Sequence, residues 1–182
     1  MPNLRDLRAL LPGCLVLALA GTAHAQFAAT GTTSLQVVVG PEAALQVTAS
    51  TSLTTAGTTF NANYTGSTSL TYKIRTTKTG GSGTITLKVT TDFSGTGGPS
   101  VASPPTAGDT LAYTCTVSSP GTACSASQTA STTSSTPVGT FGADNHSASA
   151  GNSGSVSWTL TDDPQYSTGT YTATVTFTIS AT

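Results

Sequence analysis

The chain has 182 residues, only 7% of them charged, with a formal net charge of −1; about a third are Ser or Thr. Soluble domains carry roughly 25% charged residues, so solubility here rests on hydroxyls. The four bases Lys73, Arg75, Lys78 and Lys88 are scattered among six acids beyond residue 25, which leaves no basic patch for nucleic acid or anionic lipid.

At the start, Arg5 and Arg8 precede an apolar run over 9–21 and the small-residue motif Ala23-His24-Ala25. This pattern predicts a secretory signal peptide over 1–25, cleaved before Gln26. The run is about thirteen residues, short of the roughly 20 a membrane span needs, so no membrane insertion is expected. Leu11-Pro12-Gly13-Cys14 loosely matches a lipidation site, but the apolar run continues past Cys14 where a lipidated cysteine should end it. What remains after cleavage suffices for one domain with a real core, expected over 41–182.

Residues 26–40 read as an N-terminal strand or extension. Leu35, Val37 and Val39 alternate with Gln36 and Val38, and Gly40-Pro41 cuts this piece from the next apolar stretch, Leu45-Gln46-Val47. Proline cannot donate to a strand ladder and glycine permits a sharp change of direction. Two readings follow: a first strand that switches between the sheets of its own domain, or an assembly strand in which Leu35, Val37 and Val39 complete a neighbour's open sheet edge.

Period-two alternation dominates the rest and predicts strands with one wet and one buried face. A short candidate is Phe60-Ala62-Tyr64. Leu70, Tyr72 and Ile74 face inward on one strand and Ile85, Leu87 and Val89 on the next, with residues 78–83 read as a Gly-rich hairpin loop between them. Leu111, Tyr113, Cys115 and Val117 follow, then 137–141, then Val156, Trp158 and Leu160. The clearest alternation closes the chain: over 170–179 every even position is Thr, while the odd ones are Tyr171, Ala173, Val175, Phe177 and Ile179. Residues 94–109 and 125–136 are rich in Gly, Pro, Ser and Thr and read either as long surface loops or, for part of the first, as a small excursion from the sandwich.

No 3.6-residue period occurs after the leader, and β-branched residues fill the regular segments. The expected fold is all-β, a single antiparallel immunoglobulin-like sandwich of about seven to nine strands with almost no helix. Cys115 and Cys124, in an exported chain, are expected to form a disulfide. Facing each other across two strands, they would leave residues 118–121 as the connecting loop.

Chemistry is sparse. A Ser-His-Asp site would have to use His146, and no Gly-x-Ser-x-Gly elbow exists; no pair of acids sits in a context that would raise a pKa for glycoside hydrolysis. No catalytic residue, cofactor or metal site is expected. Asp162-Asp163-Pro164, with Asp144 or Asp109, lacks the dense acidic spacing of a calcium loop, and these acids are read as caps on a turn before Tyr166. Trp158 falls on the apolar parity of its strand and is read as core. Tyr64, Phe141 and Tyr166 lie nearer loops as candidates for exposed contacts. Asn63-Tyr64-Thr65 and Asn145-His146-Ser147 match the glycosylation sequon, a pattern common by chance in so Ser/Thr-rich a chain.

The segment 166–179, with Gly169-Thr170-Tyr171 feeding the alternating Thr strand, resembles the last strand of secreted bacterial immunoglobulin-like domains, including spore-coat-protein-U-type and fimbrial subunits. The resemblance covers about fifteen residues and the overall layout; the cysteine such coat subunits carry near the first strand has no counterpart over 35–47. It implies a non-enzymatic structural or assembly component of the bacterial cell surface or extracellular space, a pilus, coat or matrix subunit. The alternative expectation is an adhesion module. Partners would be copies of itself, other surface proteins or glycans, and the protein would be secreted to the periplasm, cell surface or medium.

Overall fold

A computed structural model describes residues 30–182 except Asn61; the expected leader lies outside them. The chain divides into two units at Val37/Val38, and the whole sandwich belongs to the second.

Among the described residues there are nine strands and no helix. They are β1 (Glu42–Val47), β2 (Tyr64–Arg75), β3 (Gly83–Thr91), β4 (Leu111–Val117), β5 (Thr122–Ala123), β6 (Gln128–Thr129), β7 (Thr136–Phe141), β8 (Asn152–Leu160) and β9 (Thr174–Ala181). One sheet has the order β1-β2-β8-β4-β6 and the other β5-β7-β3-β9, and every paired neighbour is antiparallel. The fold is thus an all-β sandwich.

The alternation dictates the packing. Leu70, Tyr72 and Ile74 of β2, Leu111 and Tyr113 of β4, and Val156, Trp158 and Leu160 of β8 face Ile85, Leu87 and Val89 of β3 and Val138 and Phe141 of β7 in one buried cluster. Burying each of the large aliphatic side chains contributes about 1.5–3 kcal/mol. Buried polar atoms are satisfied within this core. The Trp158 indole N–H donates to Thr68 Oγ1 at 2.8 Å, the Tyr113 hydroxyl donates to the Pro137 carbonyl at 2.8 Å, and the Tyr72 hydroxyl donates to the Ser118 carbonyl.

Several expectations need correction. Residues 78–83 are not a hairpin loop: β2 and β3 lie in different sheets, so the connection crosses the sandwich. Alternation fixes which face of a strand is buried but not which sheet it joins. The same holds for the disulfide. Cys115 and Cys124 are bonded, with Cα atoms 5.6 Å apart, but β4 and β5 belong to opposite sheets, so the link ties the two layers together rather than clipping a hairpin. Phe60-Ala62-Tyr64 is no strand. Phe60 has φ of 55° and is exposed, and β2 begins only at Tyr64. Phe141, taken as a loop-side contact, is buried and packs on Tyr72 with ring centroids 5.1 Å apart.

The long segment 94–109 has an anchor. The Asp92 carboxylate accepts from the backbone N–H groups of Phe93, Val101 and Ala102 and from the Ser100 hydroxyl, all at 2.7–3.0 Å. Burial alone would raise its pKa, but these four donors outweigh it and hold the carboxyl below its ordinary value.

Candidate functional site

The residues weighed for catalysis do not converge. His146 and Asp144 form a 3.5 Å pair in a loop, each side chain more than half exposed, and Asn145 beside them uses its side chain to accept from Gly142 N–H at 3.0 Å. Among the described residues no group of three or more His, Cys, Asp or Glu is placed to hold a metal ion, and no helix is long and apolar enough to cross a membrane. A shallow depression of about 330 Å³ lies over Glu42, Lys73, Arg75 and His146.

At the opposite end of β2, acids and tyrosines gather because of strand register. Leu160 is paired with both Tyr64 and Leu111, so Asp109 just before β4 meets residues 161–163 just after β8. Asp163 does cap a turn: its Oδ1 accepts from Gln165 N–H at 2.8 Å, and its carbonyl accepts from Tyr166 N–H at 3.0 Å. The Tyr166 hydroxyl faces Asp109 Oδ2 at 3.4 Å, and burial, then the charge of Asp109, pushes that hydroxyl's pKa up. Burial and the Asp163 carboxyl raise Asp109, whereas the Thr106 hydroxyl and the Gln165 amide hold Asp163 down. Asp144, the other acid weighed with this group, is not part of it; it lies beside His146.

A different feature stands out on the side where β1 and β9 pack against each other. Among the described residues each is the terminal strand of its sheet, with a strand partner on one side only. Their inward side chains are correspondingly less covered than the rest of the core. Ala43, Leu45 and Val47 of β1 and Val175, Phe177 and Ile179 of β9 are only half-buried, while Ile85, Leu87 and Val89 on the neighbouring β3 are at most 1% exposed. Natural sheets protect edges with charge, proline or bulges directed outward. β1 has such protection: it starts directly after Pro41 and carries Glu42, paired to Arg75 at 3.0 Å. β9 has eight residues without a charge or a proline.

Residues 30–41 form no strand. Leu35, Val37 and Val39, the candidate assembly residues, are 94%, 82% and 61% exposed, and Val38 is 87% exposed. Sequence reading identified this segment but missed β9 as an edge. The signal was present in the absence of any charged side chain over 170–182, although a central strand gives the same pattern.

No protein-family model, curated protein or solved structure matches the chain.

Proposed function

We propose that this protein is a secreted, self-assembling structural subunit of a bacterial surface or extracellular polymer. In this reading the segment bearing Leu35, Val37 and Val39 of one copy completes the sandwich of the next along β9. The observation that carries it is the unprotected β9 edge with its half-buried Val175, Phe177 and Ile179. A strand that adds there gains backbone hydrogen bonds along the edge and places alternate apolar side chains over the exposed core. Leu35, Val37 and Val39 have that spacing.

The topology supports an immunoglobulin-like reading. Such a sandwich has sheets ABED and CFG, and a tyrosine near the start of strand F bonds back to the backbone a few residues upstream. The order β1-β2-β8-β4 follows ABED, and β3-β9 follows C and F. Tyr171, three residues before β9, donates its hydroxyl to the Ser167 carbonyl at 2.7 Å. On this reading β9 takes the part of F, and among the described residues no strand pairs with its outer side. A head-to-tail contact of this kind does not close on itself and propagates into a filament.

The test is deletion of residues 26–39 from the exported protein. The expected result is a domain that melts cooperatively but no longer forms large particles by sedimentation and electron microscopy. A wild-type protein that stays monomeric at high concentration, with a deletion variant that unfolds, would show the segment to be an internal strand.

A further inference from the structure

The acids gathered at the start of β2 are a structural problem that turn capping does not solve. Asp163 is 6% exposed; its Oδ1 is used by Gln165 N–H, but its Oδ2 is buried with no hydrogen-bond partner. The Asp109 carboxyl lies within hydrogen-bonding reach of the Asp163 carboxyl, with the hydroxyls of Thr161 and Tyr166 against Asp109 and that of Thr106 against Asp163. Asp162, hydrogen-bonded to the Tyr64 hydroxyl, adds a third negative charge nearby. No Lys or Arg compensates: the ion pairs among the described residues are Arg75–Glu42 and His146–Asp144, both elsewhere. Two carboxyl groups within hydrogen-bonding reach of each other, one of them with a buried oxygen that no hydrogen bond satisfies and neither with a cationic side chain, call for a cation or a shared proton between them.

We infer that Asp109 and Asp163 form the two-carboxylate base of a calcium site that locks residues 106–109 to the turn following β8. The donor set is oxygen only, two carboxylates with hydroxyls and turn carbonyls at hand, which suits a hard cation. Calcium accepts irregular arrangements of six to eight oxygens, whereas magnesium demands near-ideal octahedral geometry and zinc prefers nitrogen and sulfur. With two acidic ligands on loops, the affinity belongs to the range of extracellular modules, on the order of 10⁻⁴–10⁻³ M.

Terbium provides the probe, because Tyr166 beside Asp109 can transfer excitation to a bound lanthanide. Titrating terbium into the exported protein should give saturable tyrosine-sensitised emission that calcium displaces and magnesium at the same concentration does not. Asp163→Asn and Asp109→Asn should each weaken terbium binding at least tenfold, while Asp144→Asn leaves it unchanged. Calcium should raise the melting temperature of wild type and of Asp144→Asn but not of the other two. Asp109 is the more exposed of the pair, so Asp109→Asn keeps the test decisive if Asp163→Asn fails to fold. The inference is overturned if wild type gives no saturable emission, or if Asp109→Asn titrates as wild type does. It is equally overturned if Asp163→Asn at neutral pH is as stable as wild type with calcium and calcium moves neither protein, since a shared proton then balances the pair.

Discussion

Trp158 has one polar atom to satisfy and the largest apolar surface in the core to bury. Its indole N–H reaches Thr68, which in turn shares a hydrogen bond with Thr51 at 2.7 Å, and its ring packs against Tyr113 at 5.4 Å between centroids. Trp158→Ala should cost about 3–5 kcal/mol in urea unfolding. Thr68→Val keeps the shape but strands the indole N–H, and should cost about 1–3 kcal/mol. A cost near zero for both would mean that the ring is not held as described. Asp92 gives a pH signature. Its folded-state pKa is depressed, so its contribution is present above the unfolded value of about 3.9 and is lost as pH falls through the lower folded value. The stability gap between wild type and Asp92→Asn, measured by thermal melts, should therefore be widest near neutral pH and close in strong acid. At this scale the sequence was informative: apolar parity alone identified Leu70, Tyr72, Ile85, Leu87, Val156 and Trp158 as inward, because burial of a strand face is written in every second residue.

Between elements, legibility falls. The pairing of the cysteines could be read from their number and context, yet the layers they connect could not, since a link of sequence separation 9 fits either a hairpin or a crossing. Removing it with Cys115→Ser and Cys124→Ser should lower stability by about 2.7 kcal/mol on the chain-entropy account for a ten-residue loop. The crossing from β2 to β3 depends on Gly81, where a Cβ would overlap the backbone N and O of Thr77. Gly81→Ala should destabilise by more than the few tenths typical of a surface change, measured as a drop in melting temperature. A neutral effect would show that the crossing is looser than the structure has it. Gly80-Gly81 looked like a hairpin turn in sequence because the same residues serve any tight change of direction.

For the whole molecule, the fold class was readable and the proposed assembly surface only half so. Leu35, Val37 and Val39 attracted attention as an apolar strand isolated by Gly40-Pro41; that they are exposed, and that β9 has no outer neighbour among the described residues, are facts of tertiary structure. The proposed polymer joins these two observations. Its sharpest test places a photo-crosslinking residue at Val37 in a mixture of isotopically light and heavy copies of residues 26–182, followed by mass spectrometry of the linked peptides. The account predicts light-to-heavy links from position 37 to peptides containing Thr174–Ala181, in particles larger than a monomer. Links confined to single-label pairs, or light-to-heavy links that avoid β9, would contradict it.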